Sequence, residues 1–195
     1  MKDFLTKAIL IFTAILLIFS CLPEVDDVKM NIEISKCINE QSKELVGNNF
    51  NFYDEYIKIE NILLEENILS EKNKEGYKEA LATLFNSEKI NKKYNRIYYR
   101  IIDSIEYNDM LFFSGTLAIP FSCNVSYLKK TNLYKSEKYS NYYTVLKKAY
   151  EDFTPNNPNL YYDLVDNIPK SKIDNIIFRA PIISVFIGVI HNNIE

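Results

Sequence analysis

Ile90, Tyr94, Ile97, Ile101 and Ile105 recur at intervals of four, three, four and four, with Lys92, Lys93, Asn95, Arg96 and Arg100 mostly between them. Spacing near 3.6 residues gathers the apolar set on one helix face, whereas a strand would need strict alternation. Ser87 is placed to cap this helix by accepting from its first free amides. Phe52, Tyr56, Ile59 and Leu63 trace a second stripe, flanked by Tyr53, Ile57 and Leu64 and ending near 67–70. Tyr77, Leu81, Leu84 and Phe85 trace a third.

The same test extends over most of the chain. Met30, Ile34, Cys37 and Ile38 follow helical spacing; Val28, Met30, Ile32 and Ile34 also alternate, but continuation through Leu45 favours a helix, which Gly47, Asn48 and Asn49 stop. The apolar segment 110–121 contains Gly115 and Pro120 and leaves a short helix, a buried crossing segment and a strand open. A polar stretch follows, and Tyr139, Tyr142, Tyr143, Leu146, Ala149, Tyr150 and Phe153 resume the helical period until Thr154, Pro155, Asn156 and Asn157 break it. Pro158 suits the first turn of a helix carrying Leu160, Leu164 and Val165, closed by Pro169. Ser171 or Asp174 is expected to cap a last helix bearing Ile173, Ile176, Ile177, Ala180, Ile183 and Ile187, which Pro181 should kink or split. Residues 180–190 are apolar nearly all round, with Ser184 the only polar side chain; short and preceded by Arg179, they predict a central buried helix rather than a membrane span.

Together these readings predict an all-α protein, a compact bundle of about six to seven helices within a single domain over 29–195. Hydrophobic residues make up 47% and charged residues 25% of the 195, enough apolar material for a packed core. The formal net charge of −3, with no basic block, argues against nucleic acid as a partner, since that binding rests on neutralising phosphates. The pairs Lys92-Lys93, Lys129-Lys130 and Lys147-Lys148 are read as solvated helix faces.

Lys2 and Lys7 precede an unbroken apolar run over 8–20, which is too short to cross a bilayer and is closed by Pro23, Glu24, Asp26 and Asp27. This is signal-peptide anatomy. Ile18-Phe19-Ser20-Cys21 resembles the lipobox of bacterial lipoproteins, with a branched aliphatic, a small residue and the acceptor cysteine; Phe19 is bulkier than usual and Ile18 stands where Leu is commoner. The resemblance implies diacylglycerol on the Cys21 sulfur, cleavage before Cys21 and acylation of the new amino group. In a chain rich in Ile, Asn, Lys and Tyr, this relaxed lipobox is similar to those of spirochaetal lipoproteins of the Borrelia type, and secondly of the Bacteroidetes group. The organisation expected is then a signal peptide over 1–20, a lipidated acidic tether over 21–28 and the helical domain. The mature chain carries a net charge of about −4 once Lys2, Lys7 and Asp3 are removed. Two or three acyl chains, at roughly 0.8 kcal/mol per buried methylene, make release from a membrane very slow. The lipid on Cys21 is the only cofactor expected, and the expected location is the cell envelope, at the outer membrane or cell surface.

Cys37 and Cys123 remain once Cys21 is modified. In an exported chain they could pair, or they could be two small buried apolar residues. Catalytic material is sparse. The one histidine, His191, is read as a solvated tail residue, and neither CxxC nor HExxH spacing is present for a metal. Asp163, Asp166 and Glu65-Glu66 are the nearest approach to clustered carboxylates, and their helical spacing predicts wet faces. No glycine-rich phosphate loop can be assembled from four scattered glycines. The 15 tyrosines include the pairs Tyr98-Tyr99, Tyr142-Tyr143 and Tyr161-Tyr162. Adjacent helical residues point about 100° apart, so one of each pair can enter the core while its neighbour lies at the rim, a geometry that serves packing or a binding surface. The expected function is therefore a non-enzymatic envelope lipoprotein that binds a partner protein or host ligand. The alternatives are an envelope-housekeeping enzyme, or a scaffold or assembly factor built on helical repeats.

Overall fold

The computed structural model describes residues 25–47, 50–86, 91–105, 116–152 and 157–193. The chain divides into two units, Met1–Ile32 and Glu33–Glu195. Of the first, the described part is the opening turns of helix α1, which runs Val25–Val46 and so already covers part of the segment read as a tether. Gly47 ends α1 in a left-handed conformation, φ +117°, its N–H donating to the Lys43 carbonyl at 3.1 Å.

Helix α2 (Phe52–Glu65) begins where the Asn51 side chain accepts from Tyr53 N–H. It ends in a paired-carbonyl cap: Asn67, at φ +53°, donates to Leu64, and Ile68 donates to Leu63. Helix α3 is Lys74–Asn86 and α4 is Asn91–Ile105, whose stripe buries Tyr94, Ile97 and Ile101. The Ser87 cap lies outside the described residues. A 3-10 turn, Thr116–Ala118, leads into α5 (Ile119–Lys130), and another, Leu133–Lys135, joins α5 to α6 (Ser140–Glu151). Helix α7 is Pro158–Asn167 with its proline in the first turn, and a third 3-10 turn, Lys170–Lys172, precedes α8 (Ile176–Asn192).

The fold is all-α, with eight α-helices and no strand among the described residues. The helix beyond the expected number is α5. Its first residues come from the apolar segment left open, and the rest from what was read as a polar stretch; residues 110–115 lie outside the described set. Buried Asn124 puts a polar residue on its inner face, and Pro120 stands in its first turn, which blurs the apolar period there.

Helix α8 is the hub of the Glu33–Glu195 unit. Every residue from Ile176 to Ile190 is buried, and α2, α3, α4, α5 and α7 all pack on it. Asn175 caps it through Ile177 N–H, in place of the expected Ser171 or Asp174. Of the kink or split expected at Pro181, the split does not occur: α8 runs through it as one helix. A proline has no N–H for the carbonyl four residues back, here that of Ile177, and the buried Asn124 side chain on α5 donates to that carbonyl at 3.3 Å and to the Pro120 carbonyl at 2.8 Å.

Candidate functional site

Tyr56, Ile59, Glu60 and Leu63 share the buried face of α2, so a carboxylate enters the core along with three apolar side chains. Glu60 is fully enclosed. From α8, Arg179 donates through Nε to Glu60 Oε1 at 2.7 Å and through Nη2 to Oε2 at 3.1 Å, while its Nη1 reaches the Ile173 carbonyl at 2.9 Å. From the α2–α3 connection, Lys72 Nζ lies 2.8 Å from Glu60 Oε2, and from α3 the Tyr77 hydroxyl donates to Oε1. Burial pushes the Glu60 carboxyl up, but the bonds from Arg179, Lys72 and Tyr77 outweigh it and hold the group below the usual carboxylate range. Burial beside that charge pushes the Tyr77 phenol well up, so it stays a donor. One turn before Glu60, Tyr56 shares a 2.9 Å hydrogen bond with Ser184, the polar side chain that the apolar α8 run carries.

The connection that delivers Lys72 and Tyr77 is tightly built. Asn73 accepts from Gly76 N–H at 2.9 Å, and Gly76 lies so close to Glu71 that a Cβ there would sit 2.2 Å from the Glu71 carbonyl oxygen. Only glycine fits.

A second cluster closes the other end of α2. Arg96 and Arg100 on α4 both reach buried Glu66, Arg100 at 2.5 Å, and Arg100 also meets exposed Glu65 at 2.5 Å. The hydrogen bond from Arg100, aided by Arg96, holds the Glu66 carboxyl below its ordinary range against the opposing effect of burial. Beside this cluster a groove of about 490 Å³ runs between α2 and α4, lined by Lys58, Asn61, Glu65, Arg100 and Asp103 among others. Another, of about 360 Å³, is lined by Gln41, Leu45, Ile119, Ser122 and Tyr150. In both clusters the carboxylate is held by cations, Arg179 and Lys72 on Glu60 and Arg96 and Arg100 on Glu66. Their chemistry is that of charge held in place.

No known protein family, curated protein sequence or solved structure matches this chain.

Cys37 and Cys123 are joined as a disulfide with Cα atoms 5.9 Å apart, tying α1 to α5. Within the tyrosine pairs, Tyr98, Tyr142 and Tyr161 are buried while Tyr99 is 58% exposed and Tyr143 and Tyr162 are half-buried. The pairs are thus split between core and rim and are carried on α4, α6 and α7. His191 is in the last turn of α8, half-buried, its ring 5.7 Å from that of Tyr98, rather than in a solvated tail. Asp163 and Asp166 are exposed as expected, Asp166 in a 2.5 Å ion pair with Lys78. Glu66 departs from the expected wet face because the two arginines of α4 cover it. Cys21 and residues 1–20 lie outside the described residues. Among those described, no three His, Cys, Asp or Glu side chains converge as a metal ion would need.

The sequence reading missed Glu60 and Arg179. The signal was available: Glu60 lies four residues after Tyr56 and three before Leu63, and Arg179 lies three after Ile176 and four before Ile183, so each charge stands on its helix's apolar stripe.

Proposed function

We propose that this chain is a bacterial envelope lipoprotein, held at a membrane by lipid on Cys21, whose helical unit binds a partner protein or host ligand rather than catalysing a reaction. The observation that carries the reading is the apolar run over 8–20 ending in Ile18-Phe19-Ser20-Cys21 and cut off by Pro23 and acids. Consistent with attachment through lipid, no helix among the described residues is long and apolar enough to cross a membrane. The binding part of the reading draws support from how the reactive groups are used. Glu60 and Glu66 are saturated by cations, while Tyr99 and Tyr150 stand exposed, and such side chains give large contact area at little entropic cost.

Palmitate labelling of wild type and Cys21→Ala tests the anchor: label is expected in the first and absent from the second, and equal labelling would overturn it. Protease treatment of intact cells then places the unit. Digestion supports display toward a host or neighbouring cell, whereas full protection directs the search for a partner to the periplasm.

A further inference from the structure

Between Met110 and Tyr150 the chain carries six lysines against a single acid, Glu137, although the whole chain is net negative. Four of these lysines meet at one end of the α5–α6 hairpin. Lys129 and Lys130 close α5, Asn132 turns the chain at φ +59°, and Lys135 and Lys138 follow before α6 begins; all four are exposed. The tip is well braced. Thr131 N–H donates to the Tyr127 carbonyl at 3.0 Å and the Ser136 hydroxyl to the Leu133 carbonyl at 2.7 Å. Half-buried Tyr134 and Tyr143 lie with ring centroids 5.2 Å apart, and Lys135 Nζ sits 5.4 Å over the Tyr134 ring.

The position of this tip follows from how α1 and α5 run. Going backward along α1 from Gln41 to Cys37 to Glu33, the partners on α5 advance from Ser122 to Cys123 to Lys130. The two helices are therefore antiparallel, and the chain enters the Glu33–Glu195 unit at Glu33, 3.6 Å from Lys130, at the lysine end. Eleven residues lie between Cys21 and Glu33, and since α1 begins at Val25 the span between them is at most about 26 Å.

We infer that the α5–α6 tip, through Lys129, Lys130, Lys135 and Lys138 with Tyr134 and Tyr143, rests on the anionic headgroups of the bilayer that holds the lipid. The inference rests on the anchor reading above. Lysines near an anionic surface each favour binding by about fivefold, and Glu33 and Glu137 offset part of that gain. Tyrosine suits the same depth, with its ring against the acyl boundary and its hydroxyl among the headgroups. The contact would fix the orientation of the unit on its tether and turn the far end of the hairpin toward solvent.

The chain has no tryptophan, so Tyr134→Trp adds a single indole reporter. The full chain with this substitution is reconstituted into phosphatidylcholine vesicles with or without phosphatidylglycerol. A blue shift and quenching by brominated lipid are expected only with phosphatidylglycerol, reversed by high salt and lost when the four lysines are changed to Glu. Milder Lys135→Gln and Lys138→Gln, with helicity checked by circular dichroism, should weaken the response about fivefold each. An equal response on neutral vesicles, no response, or an equal shift with soluble polyglutamate would overturn the inference. Palmitate labelling and flotation in high salt read the anchor separately: an unlabelled chain that leaves the vesicles in high salt, yet keeps the salt-sensitive indole shift on anionic lipid, removes the anchor and retains the tip.

Discussion

Glu60 stands within α2 and Glu66 caps its C-terminal end, and each carboxylate is met by two cations, yet they live in different media. The side chain of Arg179 is 7% exposed and that of Lys72 37%, whereas Arg96 is 65% exposed and Arg100 40%. Around Glu60 the ion pair is sealed under α8, so losing one partner strands the other away from water. Around Glu66 the guanidinium groups can turn to solvent and be screened by salt. Equal numbers of partners therefore imply unequal weight, and the exposure of the cations sets the difference.

The most severe way to break this contrast is Glu60→Ala, which leaves Arg179 buried without its counter-charge. A loss of about 3–5 kcal/mol in denaturant unfolding is expected, and a loss no larger than that of a rim variant would erase the distinction. Replacing both members, Glu60→Leu with Arg179→Met, should recover most of the loss, because the penalty comes from the unpaired charge. Next in size is Gly76→Ala. Its Cβ would press on backbone at Glu71, next to Lys72, and about 1–3 kcal/mol is expected. In that variant the chemical environment of Arg179 should shift in NMR spectra while that of Arg96 stays put.

Acid titration sharpens the comparison further. Both carboxyls are depressed in the folded state, so the stability each contributes is fully present above its ordinary value of 4.5 and is lost as pH falls through the lower folded value. Glu60→Gln should flatten that acid limb more than Glu66→Gln does. Equal flattening would mean that solvent screening is not the deciding factor. The smallest effect expected is that of Glu66→Gln at neutral pH, about 1 kcal/mol or less and shrinking further as salt is raised.

Periodicity made most of the helices legible. Tyr94, Ile97 and Ile101 on α4, and Phe52, Tyr56, Ile59 and Leu63 on α2, are buried as their spacing predicts. The central burial of α8 was readable from its all-round apolar surface, because a helix with no wet face must be enclosed. Two things were out of reach for local reasons. The carbonyl that Pro181 leaves without an N–H is met by Asn124, a residue on another helix whose approach no local pattern encodes. The Glu60 centre joins groups from α2, the α2–α3 connection, α3 and α8, so the sequence shows charges on two apolar stripes without showing that they meet. The tyrosine pairs lie between these cases: one-in, one-out was readable from helical geometry, but which member goes in depends on the neighbouring helices.

The bond between Cys37 and Cys123, 86 positions apart, encloses α2, α3 and α4 completely. A protease that nicks the chain anywhere within that span produces two pieces that remain one covalent particle. On a gel run without reductant such a particle keeps its full mass, and an intact-cell digestion would look like protection. Adding reductant after quenching the protease releases the pieces, so the same sample run both ways reports where the unit is exposed and whether the cut falls inside or outside the loop.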